Sequence, residues 1–396
     1  MKKVICFFVI IATLTLVSCN ENMPRPEKKT EPYAASMMHA SVELASRVLL
    51  VKTGGIWYYS KADGESYPFC FNPLCRHTFQ EKCTMIYFNH TNCLTSQVVY
   101  CEENDRVYIG RGQKIYSMSF DASDVRLECS LGENGDLSEM TYNTDLIRNL
   151  RCKDKYLYFI YNNDLTGNEQ VIRYDIETKK LKEMTSATDE NIIAYEIADN
   201  YIYFRMVRSN NESGYFVSDL DFNNKKLDNN PITPVLGGMT MDVYDGEYFY
   251  GKDNKVGYYK HNPITGEKTL ISEDSIITNS AMILAVHDGY VYFSPFAKNE
   301  AYSTYYNSVY RISDDGKIEK VFDMPEMEIF SLNFVSDGVI INYAHIYING
   351  TKRDDSTQKF QGFLHLSLDE NGKFVNSIAI GEFSNDEDLI TYLAGK

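Results

Sequence analysis

Hydrophobic and polar positions follow one short pattern that recurs along most of the chain. A turn rich in Asp, Asn or Gly is followed by a strand-like run of aromatic and aliphatic residues, most clearly at residues 288–293 (DGYVYF). Related copies stand at residues 154–159, 199–204 and 245–250, and fainter ones at 54–59, 104–109 and 337–341. Asp-Gly and Asp-Asn between apolar runs favour tight turns, because these residues tolerate a positive φ. The pattern therefore predicts a series of β-hairpins.

The spacing of these copies is regular. One equivalent position per copy gives Tyr58, Tyr108, Tyr158, Tyr203, Phe249, Tyr292 and Ile341. Successive positions are 43 to 50 residues apart, a period that is typical of propellers when strands carry it. Seven such units fill one ring of four-stranded blades. We therefore predict an all-β fold, a single β-propeller of seven four-stranded blades over residues 41–396, with a Cys/His-rich insert after blade one at about residues 69–95.

The third unit shows the expected blade best. Residues 147–152 are predicted to form its innermost strand, 156–161 the second, 171–175 the third and 182–184 the polar outer strand. Apolar and polar residues alternate imperfectly here, as expected where blades bury both faces against neighbours. Each unit is thus predicted to run from the central channel outward.

The first unit is shorter than the others. Its aromatic run at residues 57–59 leads almost directly into residues 67–70. We therefore expect a strand from the C-terminal tail, where residues 389–393 form an apolar piece, to complete the first blade and close the ring.

The N-terminus carries a secretion signal. Two lysines at positions 2 and 3 precede an apolar run over residues 4–17, which is short for a membrane span and typical of a signal peptide. The run ends in Leu-Val-Ser-Cys, which resembles a bacterial lipobox. The resemblance implies removal of the signal peptide at residues 1–18 and lipidation of Cys19. The alternative is an ordinary signal peptide with a chance cysteine.

Residues 19–40 contain three prolines among charged and polar residues and predict a lipidated, flexible tether. Diacylation supplies the two chains that stable anchoring requires. The sequence therefore predicts a protein of the bacterial cell envelope, lipid-anchored on the extracytoplasmic side, whose membrane contact is the lipid.

The net charge and the aromatic content limit the classes of ligand that the protein is expected to bind. The formal net charge is −16, and an acidic surface repels phosphate backbones, so we expect no nucleic-acid partner. The chain has 31 Tyr and 21 Phe. Tyrosine suits half-buried pleated strands, because its ring packs inside while its hydroxyl finds a partner. A structural role therefore explains the tyrosines more simply than an aromatic ligand platform does.

The Tyr-rich repeat, the lipobox and the Cys/His insert together resemble one family. They are similar to bacterial lipoproteins with a prolow-density-lipoprotein-receptor-like β-propeller domain of unknown function, over roughly residues 45–385. The resemblance implies one propeller outside the membrane. It implies no established activity and supplies no catalytic residues.

The insert holds one candidate metal site. Cys70, Cys75, His77 and Cys83 lie within 14 residues and form a complete tetrahedral ligand set for structural zinc. His90 and Cys93 are alternative ligands. Four protein ligands would leave no open position, so a catalytic metal is the weaker interpretation. Disulfides are the first alternative, since an extracytoplasmic compartment permits them, and free thiols are the second.

The other cysteines and acidic turns have simpler explanations. Cys101, Cys129 and Cys152 lie in strand-like settings and are predicted to be small buried hydrophobic residues. Residues 219–223 (DLDFN) alternate oxygen ligands but lack the glycine and distal glutamate of a calcium loop, so they predict a turn.

The absence of known catalytic motifs is the main sequence evidence on function. The sequence has no Gly-x-Ser-x-Gly nucleophile elbow and no His-Glu-x-x-His metal motif. We therefore expect a binding or scaffold module for a glycan, peptide or protein partner rather than an enzyme. The alternative is a polysaccharide-active hydrolase or lyase, which would gather carboxylates at the channel mouth from several blades.

Overall fold

The structure is a computed structural model. It describes residues 41–44, 47–52, 55–70, 72, 74–75, 98–111, 113–131, 147–163, 168–185, 190–198, 200–208, 213–223, 226–227, 243–244, 248–253, 257–262, 265, 267–274, 282–295, 297–299, 302–305, 307–324, 327–345, 347–348, 351–352, 361–369 and 374–383. Within these ranges no helix is long and apolar enough to cross a membrane.

The described residues form seven four-stranded antiparallel sheets, numbered here in chain order. Sheet 1 contains β1 (Ser41–Leu44), β2 (Arg47–Lys52), β3 (Gly55–Ser60) and β4 (Ser66–Pro68). Sheet 2 contains β5 (Val98–Cys101), β6 (Arg106–Arg111), β7 (Lys114–Ser119) and β8 (Arg126–Ser130). Sheet 3 contains β9 (Ile147–Lys153), β10 (Tyr156–Asn163), β11 (Asn168–Asp175) and β12 (Lys180–Glu183). Sheet 4 contains β13 (Glu190–Ala198), β14 (Tyr201–Arg208), β15 (Ser213–Asp219) and β16 (Lys226–Leu227).

The remaining sheets have the same order, and two of them carry an extra hairpin. Sheet 5 contains β17 (Val243–Tyr244), β18 (Phe249–Asp253), β19 (Gly257–His261) and β20 (Lys268–Ser272). Sheet 6 contains β21 (Met282–His287), β22 (Tyr290–Ser294), β25 (Ser308–Ser313) and β26 (Ile318–Asp323), with the hairpin β23 (Ala297–Asn299) and β24 (Tyr302–Tyr305). Sheet 7 contains β27 (Met327–Val335), β28 (Gly338–His345), β31 (Gln361–Leu368) and β32 (Phe374–Phe383), with the hairpin β29 (Tyr347–Ile348) and β30 (Thr351–Lys352).

Apolar cores lie between most neighbouring sheets and indicate that the sheets are arranged in a ring. Sheets 2 and 3 share a core that includes Tyr108, Leu157 and Tyr174, and comparable cores join sheets 1 and 2, 3 and 4, 5 and 6, and 6 and 7. A further core joins sheet 7 to sheet 1. First strands of neighbouring sheets contact each other, as β5 and β9 do, so they line the centre. The predicted all-β propeller fold is confirmed.

Sheet 1 corrects the expectation for the first unit. The run at residues 57–59 lies on the third strand of its sheet, and β1 and β2 supply the two strands inside it. The expected strand from the C-terminal tail is therefore wrong for this sheet, since four consecutive segments complete it. The motif resembled a second strand because Gly55–Ser60 is as aromatic as the second strands of other sheets. Residues 389–393 lie outside the described residues.

Alternating strand directions divide the connections between two faces of the ring. Connections between the first and second and between the third and fourth strands lie on one face, which we call the turn face. Connections between the second and third strands, and from each sheet to the next, lie on the opposite face, the loop face. Both extra hairpins belong to the loop face, because each interrupts the connection from second to third strand.

Aspartates close the tight connections of the turn face. The side chains of Asp63, Asp175 and Asp219 each accept a hydrogen bond from the backbone N–H two residues later, at 3.0 Å. Such Asx turns satisfy the backbone without a partner strand. Asp219 also accepts the N–H of Asn223 at 3.0 Å. The turn predicted at residues 219–223 is therefore confirmed, and its first carboxylate is occupied by the chain itself.

Candidate functional site

Cations on third strands bind tyrosines beside them and carboxylates of the next sheet. The Arg173 guanidinium lies 4.4 Å from the centre of the Tyr156 ring and donates to Asp221 of sheet 4 at 2.7 Å. In sheet 5, Lys260 lies 5.0 Å from the Tyr248 ring centre and 2.5 Å from Asp314 of sheet 6. Cation–π contacts and ion pairs of this kind join neighbouring sheets at the turn face. These tyrosines therefore have a structural role, as the sequence predicts.

In sheet 7 a histidine takes the place of this cation. His365 pairs with Ile340 across the strands, as Arg173 pairs with Tyr158. The next sheet in the ring is sheet 1, and there a hydrogen bond of 3.0 Å joins His365 Nδ1 to the buried hydroxyl of Tyr59. The bond spans 306 positions of the chain. His365 therefore carries one of the contacts that close the ring at this face.

Charged groups surround this contact. Lys61 of sheet 1 forms ion pairs with Glu43 and, at 3.1 Å, with Asp337 of sheet 7. It also donates to the hydroxyl of Ser336 at 2.8 Å, while Glu43 accepts the Ser336 N–H at 2.9 Å. The Glu43 side chain is 5% exposed. We call this set the latch; its members are Glu43, Tyr59, Lys61, Ser336, Asp337 and His365.

Asp337 and Gly338 form the turn that brings the latch together. His365 Nε2 lies 3.6 Å from Asp337, which is an ion-pair distance rather than a hydrogen bond. A Cβ atom on Gly338, whose φ is +158°, would collide with the carbonyl oxygen of Leu366 and would lie 3.0 Å from His365 Nε2. Glycine at this position therefore permits the close approach of the turn to β31.

Acid is expected to weaken the latch through Asp337. His365 and, after it, Lys61 lower the pKa of this carboxyl to about 2 against the effect of burial. A carboxyl whose pKa is lowered in the folded state stabilises the fold at pH values above its unfolded-state pKa of ~3.9. This stabilisation is lost as the pH falls towards 2. Because the Asp337 side chain is 46% exposed, we expect its ion pairs to contribute only about 1 kcal/mol to the free energy of unfolding. Urea unfolding should separate wild type from Asp337→Asn at pH 6 and not at pH 2; a constant difference would contradict this.

The structure places two of the four predicted zinc ligands. Cys70 and Cys75 are half-buried and pack against the core between sheets 7 and 1. His77 and Cys83 lie outside the described residues, as do the alternative ligands His90 and Cys93 and the lipidation site Cys19. Within the described ranges no group of three or more His, Cys, Asp or Glu side chains is placed to hold a metal ion. The zinc site therefore remains a prediction.

Local hydrogen bonds hold the described residues at and between these two cysteines. The Cys75 N–H donates to the Asn72 carbonyl at 3.1 Å, and the Cys70 N–H donates to Pro68 at 2.8 Å. The Asn72 side chain accepts the Leu74 N–H at 3.0 Å. Local hydrogen bonds therefore hold each cysteine a short way after the end of β4.

A disulfide joins Cys101 to Cys152, which corrects the prediction that both are isolated buried hydrophobic residues. Cys101 ends β5 and Cys152 lies near the end of β9, and their Cα atoms are 5.6 Å apart. The bond therefore links the first strands of sheets 2 and 3. The available signal was their separation of 51 residues, because one repeat period brings equivalent positions of adjacent blades together.

Cys129 is partly rather than fully buried, which corrects the prediction of a buried residue. It packs against the core between sheets 2 and 3, and burial raises the pKa of its thiol to about 12. A thiol with so high a pKa stays protonated and is a poor nucleophile. Cys129 therefore serves as a small packing residue.

Two extra hairpins and the Cys/His insert belong to the loop face on three consecutive sheets. The hairpins of sheets 6 and 7 lie on consecutive sheets, and the Cys/His insert leaves sheet 1, which follows sheet 7 in the ring. Among the described turn-face connections, those at Asp63, Asp175 and Asp219 are closed by Asx hydrogen bonds. The loop face therefore carries the parts of the chain that the scaffold does not require.

Comparisons with known proteins support the fold alone. No model of a protein family matches the chain, and no curated protein matches it. The chain is similar in structure to puromycin hydrolase, with 9% identity and a TM-score of 0.56, over 89% of this chain and 54% of that one. It thus spans about half the length of that enzyme.

Two further solved structures are similar at lower scores. The β-propeller domain of the Trilobed protease from Pyrococcus furiosus has 11% identity and a TM-score of 0.49, over 90% of this chain and 100% of that one. The oligogalacturonate lyase from Vibrio parahaemolyticus has 13% identity and a TM-score of 0.36, over 58% and 62%.

Proposed function

We propose that this protein is a lipid-anchored binding propeller of the bacterial cell envelope that holds a glycan on its loop face. One observation carries the choice of face: the hairpins of sheets 6 and 7 and the insert after sheet 1 all extend from that face, on consecutive sheets. Long connections on a rigid scaffold are where binding residues concentrate. The opposite face has little chain to offer a ligand.

The residue types of these connections favour a glycan over a peptide. Residues 297–307 contain three tyrosines and two asparagines, and residues 346–360 add Tyr347 and Asn349. Aromatic rings beside amide and hydroxyl groups give a surface that is apolar on its faces and hydrogen-bonding at its edges. Sugars present the same combination of apolar faces and hydroxyls. The chain's net charge of −16 further favours a neutral or basic ligand over an acidic one.

The binding test compares the two faces. Replacing residues 297–305 by a short Gly-containing turn should abolish retention on an array of neutral polysaccharides, because it removes one side of the proposed site. The matched control is Tyr201→Ala, which removes a tyrosine that is 39% exposed beside the turn face. Retention that survives the hairpin replacement and is lost with Tyr201→Ala would place the ligand on the wrong face for this proposal.

The same array distinguishes binding from catalysis. Release of shortened or unsaturated products would favour the hydrolase or lyase over the binding module. Glu43 is a poor candidate for that chemistry, because Lys61 and Ser336 already occupy its carboxylate within the latch. We therefore expect the polysaccharide to be recovered intact.

The anchor is proposed on Cys19. The Cys101–Cys152 disulfide supports an oxidising, extracytoplasmic location. Cys19→Ser should move the protein from the membrane fraction to the soluble fraction, and metabolic labelling with a fatty acid should disappear with it, because two acyl chains supply the membrane affinity. Cys129→Ser, a cysteine outside the proposed zinc site, is the control and should leave both unchanged. A Cys19→Ser protein that stays labelled would refute the lipid anchor.

We further propose that Cys70, Cys75, His77 and Cys83 bind a structural zinc ion. Cys70 and Cys75 support this, because both lie shortly after β4 and pack against the same core. Three thiolates and an imidazole satisfy the tetrahedral preference of zinc. The competing possibility is disulfide bonding within the insert, which excludes the metal.

A further inference from the structure

Three sheets hold a cation against the same two positions of their second strand. The cation stands on the third strand, pairs with one tyrosine of the second strand and covers the ring of the tyrosine two positions earlier. The three sets are Tyr156, Tyr158 and Arg173 in sheet 3, Tyr248, Tyr250 and Lys260 in sheet 5, and Tyr290, Tyr292 and Arg311 in sheet 6. The cation lies 4.4, 5.0 and 4.3 Å from the covered ring centre, in that order. The repeat therefore defines a position at which a cation covers a tyrosine.

Sheet 4 keeps both tyrosines but carries a neutral residue at the position of the cation. Tyr203 pairs with Val217 across β14 and β15, just as Tyr158 pairs with Arg173 in sheet 3. Tyr201 stands two positions before Tyr203 and is therefore the tyrosine that the cation would cover. A valine side chain has no charge to offer its ring.

The second cation of sheet 3 is also replaced. Lys155 lies 5.6 Å from the centre of the Tyr156 ring, and Asn200 stands at the equivalent position before Tyr201. Tyr201 is 39% exposed, whereas the covered tyrosines of the other three sheets are half-buried. Among the described residues, the Tyr203 ring lies beside it, 6.4 Å away between ring centres, and no cation lies over it. The face of the Tyr201 ring is therefore open to a partner from outside.

The surroundings of this ring favour a positive charge. The face of an aromatic ring attracts cations electrostatically. Asp219 stands opposite Tyr201 on β15, and the backbone N–H groups that its carboxylate accepts leave its negative charge in place. The net charge of the chain, −16, attracts basic partners and disfavours a second copy of the same acidic chain.

We propose that Tyr201 is the centre of a docking site for an arginine or lysine side chain of a basic protein partner. The partner's cation takes the position that Arg173, Lys260 and Arg311 fill from within the chain in the other sheets. The site lies on the turn face and needs no long loop, because the ring stands at the start of β14. The propeller thereby gains a second binding surface, opposite the face proposed to hold a glycan.

Surface plasmon resonance with immobilised peptides tests the docking site. The probe is the peptide Gly-Arg-Gly-Arg-Gly, and its neutral control is Gly-Gln-Gly-Gln-Gly, both at about 0.15 M salt to screen distant charges. The purified full chain should bind the arginine peptide and not the glutamine peptide. Tyr201→Ala should weaken binding about fivefold, the loss expected for one exposed cation–π contact. Tyr201→Phe should bind as wild type does, because the ring and not the hydroxyl makes the contact.

Filling the position from within the chain gives the second test. Val217→Arg should place a guanidinium over Tyr201, as Arg173 lies over Tyr156, and should abolish binding of the arginine peptide. Leu181→Arg is the matched control, because it adds the same charge at a position on β12 that is 43% exposed, and it should bind as wild type does.

Three results would overturn the docking site. The first is equal loss of binding in Val217→Arg and Leu181→Arg, which would mean that net charge alone governs the interaction. The second is Tyr201→Ala protein that binds as tightly as wild type, and the third is wild-type protein that does not distinguish the two peptides. Replacing the hairpin at residues 297–305 should leave peptide binding unchanged, so this test and the glycan test fail separately.

Discussion

Replacing both Cys101 and Cys152 with alanine is expected to lower the free energy of unfolding by about 4 kcal/mol. The disulfide closes a loop of 51 residues, and a cross-link of that length removes roughly this much conformational freedom from the unfolded chain. It also joins the first strands of sheets 2 and 3, which lie at the centre of the ring. Urea unfolding of the double variant and of wild type should show the difference as a lower midpoint.

Two comparisons separate the cross-link from simple packing. Wild-type protein unfolded in the presence of a reductant should behave like the double variant, because the same bond is missing. Cys129→Ala, which changes a thiol packed against the same core, should lose about 1 kcal/mol or less. Equal losses for Cys129→Ala and for the double variant would mean that the disulfide contributes nothing beyond its buried sulfur atoms.

Trp57→Ala is expected to destabilise the protein by about 3 to 5 kcal/mol, the range for deleting a large buried aromatic side chain. Trp57 is fully buried in the core between sheets 7 and 1, the seam at which the ring closes. Its loss should leave a cavity at the one interface that joins the two ends of the ring. The effect should therefore appear first as faster deuterium exchange in β28 and β31, at urea concentrations where β10 and β14 remain protected.

Controls for this prediction come from conservative and exposed positions. Trp57→Phe retains most of the buried area and should lose about half as much or less. Leu181→Ala, on the outer strand of sheet 3 and 43% exposed, should change the free energy of unfolding by under ~0.5 kcal/mol. If Trp57→Ala speeds exchange equally in all sheets, the seam is not the weakest interface.

The repeat was readable from sequence because each sheet is built from neighbouring segments. In sheet 3 the predicted strand at residues 147–152 corresponds to β9 (Ile147–Lys153), and the one at 156–161 to β10 (Tyr156–Asn163). A local hairpin needs only the alternation of apolar runs and turn residues, and both are visible along the chain. The fold class therefore followed from the period.

Sheet 1 shows where local pattern misleads. Gly55–Ser60 has the aromatic content of a second strand but occupies the third position. The apolar run in Arg47–Lys52 was the signal for the additional strand before it. The composition of a strand does not show its position within a sheet. That position follows from counting the apolar runs between successive turns.

The contacts of the latch could not be predicted from the sequence, for a different reason. Tyr59 and His365 are 306 positions apart, and nothing in either local segment indicates the other. Only closure of the ring brings them together. The disulfide could be predicted in part. A separation near one repeat period implies that two cysteines lie on adjacent blades, but it does not show that their thiols meet.

The distance between the two sides of the seam has a consequence for biosynthesis. A chain grows from its N-terminus at roughly 5–20 residues per second, so the 306 positions between Tyr59 and His365 take roughly 15–60 s to synthesise. During that time the apolar face of sheet 1 that carries Val48, Leu50 and Trp57 has no sheet 7 to cover it. The nascent protein should therefore depend on chaperones that bind this face until the last blade emerges.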